Sequence, residues 1–298
     1  MKEVLKEWFM QAPWGKLALI SWGSPVGEPV LLVHGRQDSA ATFVPLLGLL
    51  PNEYHYVAFD LPGHGKSDPF PVGVMLSRFH FVIALDVVVK HLQWKSFVYL
   101  SHSMGGEIGL YYNAVRPNHI TKFLFLDIGP ALQNLIYKPY QSFYTIYDKY
   151  YSNYNSMNND DRVYSKRKAL DAVLKARGLT EDLAELVLSR NLREIGQDVY
   201  RLSWDKRLKN LTHLNLPNEF CLKLYTNIPP TLFVEATSSV KKHASLEVGR
   251  MIEEMRKKVK NFEYRIVEGT HDVHLTNPER IASDVTAFLK REFAVSKL

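Results

Sequence analysis

The chain has 298 residues, 46% of them hydrophobic and 23% charged, with a formal net charge of +6. These proportions exclude a disordered chain, a collagen-like repeat and a disulfide-stapled miniprotein. The lone cysteine, Cys221, excludes an intrachain disulfide and fits a reducing compartment better than the secretory pathway. At about 150 residues per domain the length suggests two domains, although one large α/β domain also runs this long. The mild basic surplus permits nucleic-acid or membrane contact but argues for neither. No stretch reaches 18 consecutive apolar residues, so no membrane span is expected. Met1 to Met10 carries Lys2, Glu3, Lys6 and Glu7 and lacks the apolar run of a signal peptide.

Short apolar, β-branched and aromatic runs predict strands at Lys16–Trp22, Pro29–Val33, Tyr54–Phe59, Phe97–Leu100 and Lys122–Leu126, and later at Thr231–Val234 and Phe262–Val267. Helical periodicity lies between and after them, at Leu76–Leu92, Met104–Val115, His243–Lys258 and Pro278–Phe293. This alternation predicts a mostly parallel sheet with helices on both faces. Residues 130–230 break the rhythm and contain no buried-strand run. Seven tyrosines crowd Asn134–Tyr154, Asn153–Asp161 reads as a loop, and Lys166–Ala176, Glu181–Leu188 and Gln197–Leu202 read as helices. Residues 131–215 hold 14 Lys+Arg against 10 Asp+Glu, a net of +4, so most of the basic surplus falls there.

Ser101-His102-Ser103-Met104-Gly105-Gly106 directly follows one predicted strand and opens a predicted helix. That is the setting of a nucleophile elbow, G-x-S-x-G, with Ser101 in place of the first glycine. The turn would expose the Ser103 hydroxyl at the carboxyl edge of the sheet, beside the positive end of a helix. A serine needs a base. His271, in Gly269-Thr270-His271 after the last strand, is the candidate, and His274 is its rival. An acid must orient the imidazole. Asp127, after the strand Lys122–Leu126, keeps the chain order Ser…Asp…His, and Glu235 is the reserve. The oxyanion hole is assigned to the backbone N–H groups of Met104 and of Arg36, the latter in His34-Gly35-Arg36 after the strand Pro29–Val33. Asp60 and His64, in Asp60-Leu61-Pro62-Gly63-His64-Gly65-Lys66-Ser67, read as structural. That segment lacks phosphate-loop spacing, and the absence of G-x-G-x-x-G, H-E-x-x-H and C-x-x-C leaves no cofactor or metal expected.

Together His34-Gly35, Asp60-x-Pro62-Gly63-His64-Gly65-x-Ser67, Ser103-x-Gly105 and Gly269-x-His271 resemble the α/β-hydrolase superfamily over nearly the whole chain. Pro13-Trp14-Gly15, Asp127-Ile128-Gly129-Pro130 and the closing Gly-x-His-x-x-His resemble the serine hydrolase-like (Kraken-like) subfamily. The resemblance implies an eight-stranded, mostly parallel sheet with a helical cap inserted after strand 6. It places a core at 1–129 and 226–298 and the cap at 130–225. Ser103 argues against the dehalogenases and epoxide hydrolases, which use an aspartate nucleophile on the same framework. The implied activity is hydrolysis of a carboxylic ester or thioester through Ser103, His271 and Asp127. A C–C bond hydrolase with the same triad and a non-catalytic ligand-binding relative are the alternatives. The cap tyrosines would offer amphipathic walls to a partly apolar substrate, while most of the seven are expected simply to pack the cap. The chain closes on Ser296-Lys297-Leu298, the address read by the peroxisomal import receptor, with the cytoplasm as the alternative location. A peroxisomal address and a basic cap together fit an acyl-CoA-like substrate.

Overall fold

In the computed structural model, which describes residues 2–159, 162–212, 214–242 and 246–293, the apolar runs form one eight-stranded sheet. Its strands are β1 (Val4–Ala12), β2 (Gly15–Gly23), β3 (Pro29–Val33), β4 (His55–Phe59), β5 (Phe97–His102), β6 (Ile120–Leu126), β9 (Thr231–Ala236) and β10 (Phe262–Val267). The strands β7 (Leu192–Gly196) and β8 (Val199–Leu202) pair apart from it as a hairpin. The order across the main sheet is β1-β2-β4-β3-β5-β6-β9-β10. Only β1 with β2 and β2 with β4 run antiparallel. The helices are α1 (Val44–Leu47), α2 (Arg78–Leu92), α3 (Met104–Val115), α4 (Gly129–Leu132), α5 (Tyr140–Ser152), α6 (Tyr154–Asn158) and α7 (Lys166–Arg177). They continue with α8 (Glu181–Asn191), α9 (Asn218–Thr226), α10 (Thr237–Lys242), α11 (Leu246–Lys258), α12 (Val273–Thr276) and α13 (Glu279–Lys290). Among the described residues no helix is long and apolar enough to cross a membrane.

Strand side chains alternate between two apolar layers. Leu31, Val57, Tyr99 and Phe123 face the layer that holds Phe81 of α2 and Met255 of α11. Val30, Ala58, Val98 and Leu124 face the layer that holds Val285 of α13. Burial of both faces is why these strands read as continuous apolar runs. β1 gave no such signal. It is an edge strand, mostly exposed, held by its backbone pairing to the buried β2.

Between β6 and β9, α7 and α8 form a helical pair with their own apolar contacts, Leu170 and Val173 against Val187, joined by Leu275 of α12. Ser165 caps α7 by accepting from Lys168 N–H, and Gly178 ends it in the left-handed conformation. Two readings are corrected here. Gln197–Leu202 is not a helix. Asp198 adopts a φ of 51°, the chain reverses, and the β-branched and aromatic Val199 and Tyr200 pair back onto β7. Asn153–Asp161 is not wholly a loop, because Tyr154–Asn158 is helical, with Asn158 accepting from Gly73 N–H and Tyr150 Oη. Asp160 and Asp161 lie outside the described residues, as do the start of the 243–258 helix and Ser296-Lys297-Leu298.

Asp60 and His64 are buried and structural. The Asp60 carboxylate accepts from Ala40 and Lys66 N–H and from the Arg190 guanidinium of α8, whose remaining arm reaches Glu7 of β1 at 2.6 Å. Replacing Arg190 by alanine strands a carboxylate that water cannot reach. Urea unfolding of Arg190→Ala is expected to show a loss of roughly 3–5 kcal/mol, and a loss below 1 kcal/mol would contradict this account.

His34 accepts Leu61 N–H at Nε2 and donates from Nδ1 to Gly35 O, while His64 donates to Pro62 O. Burial pushes both imidazoles down to about 3. The unfolded chain takes up these protons below about pH 6.5, and the folded chain does not until about pH 3. His102 and His274 are lowered by burial in the same sense. His55 and His80, half-buried, are lowered in the same sense, whereas Asp38, pushed up to about 6 by burial, and Glu107, also raised by burial, act in the opposite one, two groups against six. The melting temperature is therefore expected to fall steadily from pH 7 to pH 4.5. A flat profile over that window would count against neutral buried imidazoles.

Candidate active site

Ser103 lies between β5 and α3 with φ 49° and ψ −120°, a strained conformation for a side chain other than glycine. Two glycines make the turn sterically possible. A Cβ at Gly105 would sit 2.2 Å from Val33 O, and one at Gly35 would sit 3.0 Å from Ser103 Cβ. The tip of β3 is thus pressed against the serine turn. Ser101, at the position of the usual first glycine, is fully buried and pairs in register with Val33 and Phe125, so its small side chain meets the same demand.

Asp127 follows β6, also with a positive φ of 49°, and is fully buried. Its Oδ1 accepts Ala236 N–H at 2.8 Å. Its Oδ2 accepts the Ser239 hydroxyl at 2.5 Å and faces His271 Nδ1 at 2.5 Å. His271 Nε2 lies 3.0 Å from Ser103 Oγ. An ionised carboxylate only accepts, so the Nδ1 proton points at Asp127 and Nε2 presents its lone pair to the serine hydroxyl. The structure therefore brings Ser103, His271 and Asp127 into one chain of hydrogen bonds. Glu235, the reserve acid, takes the Tyr264 hydroxyl instead. His274 is fully buried, its ring tilted against that of His102 with centroids 4.0 Å apart, and is held neutral by burial. His102 Nε2 donates to His271 O at 2.9 Å. Ser239 carries no signal in the sequence beyond a run of small hydroxyl residues.

Met104 opens α3, and Arg36 follows Gly35 along the same loop. Neither amide is paired with an acceptor among the described residues. A cavity of about 840 Å³ lies over Ser103. Arg36, His271 and Asp272 line it, together with Val173, Arg177 and Trp204 from the segment between β6 and β9. Among the described residues none of the seven tyrosines borders this cavity, which corrects the expectation that they wall the substrate. Tyr150 packs inside the segment, while Tyr140, Tyr144 and Tyr151 lie along an outer groove on α5.

The sequence reading did not single out Arg177 or Asp38. Arg177, the last residue of α7, grips Asp272 at 2.6 and 2.9 Å and Asp38 at 3.3 Å. Burial alone would raise the Asp272 carboxyl, but the hydrogen bonds and charge of Arg177 hold it below its ordinary range. Asp38 is pushed up to about 6 by burial in spite of Arg177.

Sheet order, elbow and the order of the site residues along the chain define an α/β hydrolase, and the family model described as "alpha/beta hydrolase fold" matches residues 28–278. The chain belongs to this family, in its serine hydrolase-like group. It is 32% identical to the serine hydrolase-like protein of Danio rerio over 97% of this chain and 90% of that one. Among solved structures it resembles a hypothetical protein from Pseudomonas aeruginosa (TM-score 0.78, 24% identity, 96% of this chain and 100% of that one). It also resembles the thioesterase domain from the curacin biosynthetic pathway (TM-score 0.75, 21% identity, 94% and 98%).

The two acids make opposite predictions. Asp127→Asn can put an amide N–H donor where a carboxylate oxygen accepted from His271 Nδ1 and is expected to lower the hydrolase rate by roughly 10⁴-fold. Glu235→Gln is expected to leave the rate within about one order of magnitude, since it disturbs a bond to Tyr264 and not to His271. Steady-state rates of the two variants decide it, and the reverse ranking would move the acid to Glu235.

Proposed function

We propose that the protein is a serine hydrolase acting on carboxylic esters or thioesters. The observation that carries this reading is the 3.0 Å separation of Ser103 Oγ and His271 Nε2, with the buried Asp127 carboxylate behind the imidazole. In this mechanism Ser103 Oγ attacks the acyl carbon while its proton passes to His271 Nε2. The carbonyl oxygen becomes an anion that accepts from the Met104 and Arg36 N–H groups. The imidazolium, stabilised by Asp127, gives its proton to the departing alcohol or thiol as the bond to the acyl carbon breaks. Water then enters, loses a proton to His271 and attacks the acyl-enzyme. Collapse of the second tetrahedral anion returns the proton to Ser103 and releases the acid.

Residues 130–225 act in this reading as a cap, supported by Val173, Arg177 and Trp204 lining the same cavity as Ser103. α9, at the end of that stretch, packs instead with the core, where Cys221 and Tyr225 join the layer of α2 and α11. The cavity suits a partly apolar acyl group, with Val173, Leu202 and Trp204 among its walls. Thioesters are included because the chain resembles a thioesterase domain in fold. Acyl-CoA is the thioester to assay first, because Arg36, Lys206 and Lys209 border the same cavity.

A fluorophosphonate probe is expected to label the wild type and not Ser103→Ala, read as a mass shift on the peptide containing Ser103. An unlabelled wild type would replace this reading with a ligand-binding role. A panel of p-nitrophenyl esters and acyl-CoA thioesters of graded chain length then gives the substrate class. Turnover of the esters with none of the acyl-CoAs would exclude the CoA thioester.

A further inference from the structure

The proposed base and one proposed oxyanion donor sit on separate loops. His271 follows β10, and Arg36 follows β3. The Arg177 side chain is hydrogen-bonded to both loops and belongs to neither. The Arg177 guanidinium takes both oxygens of Asp272, the residue next to His271, and one oxygen of Asp38, two residues from Arg36. Asp38 lies in the loop where Gln37 takes a φ of 58°. Its other oxygen faces the Nδ1 edge of His102 at 4.0 Å, and His102 in turn holds His271 O. Hydrogen bonds and the His271–Asp272 peptide link thus join Asp38, Arg177, Asp272, His271 and His102 in one chain. Both carboxylates are largely buried, and Arg177 forms an ion pair with each of them. Without it, two acids in a poorly hydrated space repel, and their loops lose a shared anchor.

Resting on the proposed hydrolase activity, we infer that Arg177 is a positioning residue. From the segment between β6 and β9, it sets the distance between the His271 loop and the Arg36 loop, so chemistry at Ser103 depends on α7 being docked. It takes no part in bond making. A shift of about 1 Å in such a frame costs roughly 100-fold in rate.

The test compares wild type, Arg177→Ala and Arg177→Lys in p-nitrophenyl acetate hydrolysis and in the rate of fluorophosphonate labelling, with circular dichroism and melting curves alongside. Arg177→Ala is expected to lose roughly 100-fold in kcat, with little change in KM and with labelling slowed in parallel. Millimolar guanidinium added to Arg177→Ala is expected to restore part of kcat, whereas sodium chloride at equal ionic strength restores none. Arg177→Lys should fall between, since an ammonium cannot grip both oxygens of Asp272 and reach Asp38 at once. Wild-type kcat in Arg177→Ala overturns the inference. So does a loss that guanidinium does not relieve and that simply follows a lowered melting temperature. A wild type inert to the probe is a different failure, because it removes the hydrolase reading itself and this inference with it.

Discussion

A carboxylate cut off from water must find its donors inside the protein, and at Asp127 they come from two stretches more than 100 residues further along the chain. Ala236 N–H closes the end of β9, the Ser239 hydroxyl comes from α10, and His271 comes from the loop after β10. The residue follows β6, next to the elbow strand β5. Satisfying one buried anion therefore fixes the relative positions of the β6, β9 and β10 ends. The imidazole so oriented has its remaining nitrogen directed at Ser103. The requirement that makes Asp127 structurally demanding is the same one that makes the serine chemically accessible to a base.

What was legible in the sequence follows from which forces are local. Period-two burial on both faces writes itself as apolar runs, so the central strands and their order of appearance could be read. The elbow could be read because a strained turn limits its neighbours to small residues, and Ser101 satisfies that limit as well as glycine does. The edge strand β1 could not, since it is held by partners in β2 and exposes most of its own side chains. The β7–β8 hairpin was misread for a related reason. Its four- and five-residue strands are half-exposed, and the decisive feature is the backbone of Asp198, which composition does not reveal. Asp127 was preferred to Glu235 by position in the chain. The geometry gives the physical ground: Glu235 is engaged by Tyr264, a partner supplied by the neighbouring strand β10.

The charge of the segment between β6 and β9 also takes on a different meaning. Its surplus of basic residues suggested a surface facing an anion. Several of those arginines are instead directed inward. Arg190 satisfies Asp60, Arg207 grips Asp205 and the carbonyls of Phe70 and Pro71, and Arg177 spans Asp38 and Asp272. Each guanidinium offers five donors in a planar fork, which suits it to tie two loops at once in a place that excludes water. Apart from the pairing of Arg207 with Asp205, these contacts run from the segment to the core. They join it to the loops after β3, β4 and β10, where the candidate active site lies.

That placement bears on how the segment can move. An apolar contact weakens gradually as two surfaces separate, whereas a buried ion pair leaves both charges uncompensated once it is broken. The Arg190 anchor lies at Asp60, away from the cavity wall, and the Arg177 anchor lies at the cavity itself. Of the two, Arg177 is the less buried, with a side chain 17% exposed against 6% for Arg190. Breaking the Arg177 contacts therefore uncovers charge that water partly reaches already, whereas breaking those of Arg190 strands Asp60, which is fully buried.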